Sequence, residues 1–221
     1  MQTLGGGSTI NTELKVELAY SISGGLLVPD SVNGIWVLDS VVDGAGIDAV
    51  SGPAGAHGAP LVTERSTFLG QVLVKSLQAS EVVFNALADA ARTQDGCVRF
   101  SYVRPGSHVP RRYRCQPDLE IEQEIADATK LNPLITIAEK NEITSSVQGW
   151  LVPSFKAISY GSPFYVQLHL GCPAQILTGA EDGSEMGVFS QLKQPQRESN
   201  LKIRLQEYLP FGLQAGLIYV T

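Results

Sequence analysis

Three times in the first third of the chain an apolar or alternating run leads into a serine that is followed four residues later by glycine: Ser21 to Gly25, Ser40 to Gly44 and Ser66 to Gly70. A degraded copy, Ser80 to Ala86, carries Val82 and Ala86 in those two places. Short strand-forming units that repeat at roughly twenty residues cannot bury an apolar face alone, so each must stack on the next. The repeat therefore predicts a mainly β chain that opens with a short right-handed β-solenoid (β-helix). The stretch from Gly46 to Pro60 makes the intervals uneven, and an antiparallel sandwich with glycine turns is the other fold this pattern allows. On the repeat reading, Val28, Val37, Val42, Val72, Val74 and Val83 share one core. Gly25, Gly44 and Gly70 then take equivalent corners, where glycine tolerates backbone angles closed to other residues.

The chain divides by character into a repeat region at 1–94, a basic hairpin at 95–117 and an α-helical region with a terminal strand at 118–221. Gly52 to Pro60, rich in Gly, Ala and Pro, should loop out of the stack. Asp118 is placed to cap a helix whose apolar positions include Leu119, Ile121 and Ile125, and which ends before Asn132-Pro133. A second helix is expected from Gln196 to Leu209, stopped by Pro210-Phe211-Gly212, with a docked strand from Leu213 to Val220.

At 221 residues, 43% hydrophobic and 17% charged, the chain has enough apolar content for one good core or two small ones. A net charge of -6 argues against a protein built to grip nucleic-acid phosphates. No apolar run approaches the ~20 residues that span a bilayer, and Met1 to Gly7 lacks the pattern of a secretory signal. The expectation is a soluble cytoplasmic protein, or part of a particle assembled in the cytoplasm.

Cys97 and Cys115 bracket a segment that reads as two strands around Pro105-Gly106, so the two thiols would face each other, either joined or reduced. A zinc site from Cys97, Cys115, Cys172 and His169 lacks any paired-ligand spacing. The same segment interleaves Arg99, Arg104, Arg111, Arg112 and Arg114 with Phe100, Tyr102 and Tyr113. That pattern suits a patch for an acidic partner, or a solvated face whose arginines lie on aromatics and pair with Glu120, Glu122 and Glu124. Arg99, Arg104, Arg111, Arg112, Tyr113 and Arg114, together with Leu217, Ile218 and Tyr219 of the terminal strand, are the expected subunit contacts, because Arg and Tyr concentrate at interface hot spots.

Catalytic constellations are thin. Asp39, Asp43, Asp48 and Glu64 are the acids a glycosidase or lyase would use, yet Asp before Ser or Gly is also an ordinary turn residue. Glu181-Asp182-Gly183-Ser184-Glu185 lacks the ligand spacing of a calcium loop. No nucleophile elbow, phosphate loop or dinucleotide fingerprint occurs. His57 and His108 fall in loops, and His169 sits in an apolar alternation that suits a core or interface position.

Several longer phrases carry more information than these spacings. They are Gly96 to Ser107, Pro110 to Pro117, Gly179 to Gly187, Gln194 to Leu201 and the ending Glu207 to Thr221. They resemble segments of large, mostly uncharacterised bacterial proteins that carry Ser-containing β-helix-like repeats and often accompany genes for phage-tail-like contractile injection systems. The resemblance spans most of residues 60–221, and this chain is much shorter than those proteins. It implies an assembly context and brings no catalytic residue. The expected function is a non-enzymatic structural or attachment component of such a particle, without cofactor or nucleic acid, contacting protein subunits or its own copies. A carbohydrate-binding or carbohydrate-cleaving protein is the alternative.

Overall fold

The computed structural model describes residues 12–213 and residue 216. In chain order the strands are β1 (Lys15–Ala19), β2 (Ile22–Gly24), β3 (Leu26–Leu27), β4 (Gly34–Leu38), β5 (Val41–Ser51), β6 (Leu61–Glu64), β7 (Thr67–Val74), β8 (Leu77–Ser80), β9 (Val83–Phe84), β10 (Ala88–Ala90), β11 (Gly96–Arg99), β12 (Tyr102–Val103) and β13 (Arg112–Tyr113). Four helices follow: α1 (Asp118–Leu131), α2 (Ile137–Trp150), α3 (Ala174–Leu177) and α4 (Gln194–Tyr208).

The strands form two sheets. One has six strands in the order β1-β4-β6-β8-β11-β13, and the other has seven, ordered β12-β9-β7-β5-β2 with β10 beside β7 and β3 beside β5. Every pairing between these strands is parallel. A single apolar core lies between the sheets, built from Ile35, Val37, Leu61, Leu77 and Val98 on one side and Val42, Val50, Phe68, Val72 and Phe84 on the other. Phe68 and Phe84 stack at 5.4 Å between centroids, an offset contact worth about 1 kcal/mol beyond its area.

The expected short right-handed β-solenoid over 1–94, with a basic hairpin and a separate helical region, does not describe this molecule. It is an α/β protein on two parallel sheets. Strand pairing continues past residue 94, because β11 and β13 extend the six-stranded sheet and β12 extends the seven-stranded one. The Pro105-Gly106 turn does not return Cys97–Arg99 onto Arg112–Tyr113 as a hairpin, since β11 and β13 pair in parallel. The antiparallel sandwich fails on the same observation.

Of the valines expected to share one core, Val28, Val37, Val42, Val72 and Val74 do so. Val83 points the other way, into a second cluster with Tyr102, Leu151, Ile176 and Met186, because strand side chains alternate faces and Phe84 already takes the inner one. Gly44 and Gly70 lie together beneath a register shift in β5 after Asp43. A Cβ on either would come within 2.4 Å of the Ile47 carbonyl, so the bulge needs glycine beneath it.

Part of the outer face of the seven-stranded sheet is buried as well as the inner one. Its outer residues Val41, Leu69 and Val83 are covered by the segment that follows α2, through Tyr165, Val166, Leu168, Met186 and Val188. Thr67 Oγ1 accepts the Val188 N–H at 3.1 Å, and the Glu81 carbonyl accepts the Gly187 N–H at 2.8 Å. The outer face of the six-stranded sheet stays open, with Glu17, Gln78 and Cys97 exposed and Lys15 lying 5.4 Å over the Trp36 ring.

Candidate functional site

One corner recurs where the strands of the six-stranded sheet end. Tyr20, Asp39, Arg65, Glu81, Phe100 and Arg114 all have left-handed backbone angles, with φ between 43 and 58°. The residues after them are Ser21, Ser40, Ser66, Val82, Ser101 and Cys115. The Ser40 hydroxyl accepts the Ser21 N–H at 3.0 Å and donates to the Leu38 carbonyl at 2.6 Å. Ser66 accepts the Ser40 N–H and donates to Glu64, while Ser101 accepts the Val82 N–H and donates to Arg99. Cys115 closes the row with its thiol directed at the carbonyls of Val98 and Tyr113. A non-glycine residue in this conformation costs roughly 1–2 kcal/mol, and hydrogen bonds passed from one strand end to the next offset that cost.

Outside this corner the left-handed residues form a charged line. Arg65 holds Asp39 in a two-pronged contact of 2.7 and 2.9 Å, and Asp39 is only 4% exposed. That hydrogen bond holds the Arg65 guanidinium more firmly protonated than usual, against the opposing pull of burial. Asp39 is therefore held in a structural ion pair. Asp43 accepts from the Tyr165 hydroxyl at 2.6 Å, Glu64 pairs with Arg65, and Asp48 lies in the irregular part of β5 opposite Gln71. Burial, and next the Asp43 hydrogen bond, push the Tyr165 hydroxyl pKa up.

The arginine segment does not form one surface. Arg112 is tied inward, to Asp118 at 2.9 Å and to the Ser107 carbonyl at 2.8 Å. Arg99 bonds Ser80 and reaches Glu181, and Arg104 bonds the Asn85 carbonyl. The carboxylates that pair with this segment are thus Asp118 and Glu181, not Glu120, Glu122 and Glu124. Tyr113 is half exposed and meets Phe100 edge to face at 5.7 Å. Arg111 and Arg114 are exposed, and their side chains meet no partner among the described residues. Leu217, Ile218 and Tyr219 lie outside the described residues.

All three cysteines are free, Cys97 on the exposed sheet face and Cys115 and Cys172 buried. Burial pushes both buried thiols up. Among the described residues no group of three His, Cys, Asp or Glu could hold a metal, and no helix is long and apolar enough to cross a membrane. In the acidic cluster, Asp182 binds the Ser184 N–H and hydroxyl and pairs with Lys193, so it pins the start of α4.

Two surfaces stand out that the sequence did not isolate. The first is the free edge of β1. At the far end α1 follows directly on the buried Cys115-Gln116-Pro117, but no described strand pairs β1 on the side away from β4. Leu14 and Tyr20 bond inward to β4 and its flanks, so alternation turns the N–H and C=O of Lys15, Glu17 and Ala19 outward. Beside this edge Tyr20 is 73% exposed and Ile22 54%. The second is a trough of about 700 Å³ lined by Asp43, Gln71, Asn85, Ile158 and Tyr160. The two surfaces depend on pairing and on distant loops, which no local spacing reports.

Comparison of the chain with protein-family models, with curated proteins and with solved structures finds no match.

Proposed function

We propose that this protein is a non-enzymatic structural or attachment component that works through subunit contacts, and that the β1 edge is where a subunit docks. The free edge carries this reading. A row of unpaired backbone groups flanked by exposed apolar side chains is a template for another chain. The resemblance of residues 60–221 supplies the context, a phage-tail-like contractile particle. Proline at position 17 tests it, because an edge strand accepts proline on its solvent side while losing the outward N–H. The Glu17→Pro chain should fold as the wild type does, by circular dichroism, and should incorporate into its particle or self-associate at least about tenfold less well. Unchanged assembly would remove the edge from the proposal.

The trough supports a second reading, carbohydrate binding. Amide side chains beside an exposed tyrosine suit hydroxyl-rich rings, and Tyr160 is 75% exposed. Its one acid, Asp43, is held by Tyr165, so a paired-carboxylate cleavage mechanism finds no support there. Glycan binding that survives Glu17→Pro would favour this reading.

A further inference from the structure

The C-terminal cover holds an open-sided cavity of about 470 Å³ between the segment after α2 and the first turns of α4. That volume lies within the range of roughly 300–1,000 Å³ typical of small-molecule sites. Its wall is mainly apolar, with Leu168, Leu177, Phe189 and Leu192 among the lining residues. One lining residue is out of character. Glu185 is 8% exposed, and among the described residues no hydrogen bond or ion pair meets its carboxylate. Its carboxylate is not sealed from solvent and opens on the cavity it lines. Lys156 also lines the cavity, but its ammonium sits 5.5 Å from the Phe164 ring and makes no ion pair with Glu185.

We propose that this cavity binds a primary alkylammonium ion, with Glu185 as its counter-charge and the leucine and phenylalanine wall receiving the carbon chain. An anion would be repelled by Glu185, Glu198 in the same wall being already paired with Lys202, and a metal ion would need further ligands than the site offers. A neutral apolar guest would leave the carboxyl unsatisfied. Burial pushes the Glu185 carboxyl up to about 7, with Lys156 pulling it down. The titratable groups that face it are Lys156, Glu198 and the Cys172 thiol. The ammonium binds the ionised carboxylate, so affinity should fall about tenfold from pH 8 to pH 6 as the ionised share drops from about nine-tenths to about one-tenth.

The chemistry is shared by free amines and by lysine side chains, and the test separates them. The full chain is titrated calorimetrically with n-butylammonium, with Nα-acetyl-lysine methylamide, and with n-butanol and butyrate as uncharged and anionic controls. Saturable binding of either ammonium, about tenfold stronger at pH 8 than at pH 6 and absent for both controls, is the expected result. The tighter of the two ammonium probes identifies the source. Glu185→Gln should weaken binding at least about tenfold and flatten the pH dependence. Leu170→Trp, at a half-exposed lining position, should block the space without touching the carboxyl, and decides the matter if Glu185→Gln does not fold. Butanol binding as tightly as the ammonium, full affinity in either variant, or no saturation by ~20 mM would overturn the proposal. None of the lining residues belongs to the β1 edge, so this outcome is independent of the docking reading.

Discussion

Ser101 shows what the corner serines do. It is fully buried, accepts the Val82 N–H at 3.0 Å and donates to the Arg99 carbonyl at 2.7 Å. Alanine there leaves the buried Val82 N–H unmet, while the Arg99 carbonyl keeps the Glu81 N–H at 3.0 Å, so Ser101→Ala should lose about 1–3 kcal/mol in urea unfolding. Ser101→Cys should lose clearly less, because Cys115 fills the equivalent place with a thiol. Equal losses would mean that packing, not hydrogen bonding, holds the corner. The serines at 21, 40 and 66 were legible because a glycine follows each at a fixed distance. Ser101 and Cys115 were not, since Pro105 and Leu119 stand where that glycine would be. The glycine belongs to the β5 bulge and its neighbours, while the serine belongs to the corner, and only the corner runs the length of the sheets.

Elements differ in how openly the chain declares them. α1 begins at Asp118 and ends before Asn132, as its apolar spacing indicates, although Asp118 sits in the first turn paired with Arg112 and does not cap. α2 escaped notice because it buries only Val147, so its apolar periodicity is weak. Its start is nonetheless written in Thr136 and Glu139, a reciprocal capping box. Thr136→Ala should therefore speed amide exchange in the first turn of α2 about fivefold, the effect of losing one N-cap bond, and leave α1 unchanged. Strand direction was the least legible property. A turn such as Pro105-Gly106 fits a hairpin equally well, and only the partner of β11 decides between them.

For the molecule as a whole, the cover laid over the seven-stranded sheet ties stability to pH through Glu185. Burial raises its carboxyl from the ordinary value near 4.5 to about 7, so the folded state holds this proton more tightly than the unfolded chain does. The contribution is complete below about pH 4.5 and is lost as pH rises through 7. Between pH 5 and pH 8 it amounts to about 2 kcal/mol, which should appear as a lower urea midpoint at pH 8 in the wild type and be missing from Glu185→Gln. The corner column has a different bearing, on the lengths of chain the molecule tolerates. Corners lie 19 residues apart at Ser21 and Ser40 and 26 apart at Ser40 and Ser66, yet the hydrogen bond that joins each pair is the same. The joint therefore forms at either spacing, and the length of chain between two joints is not fixed by it. Extra residues placed in the loop from Gly52 to Pro60 should thus leave both corners in place.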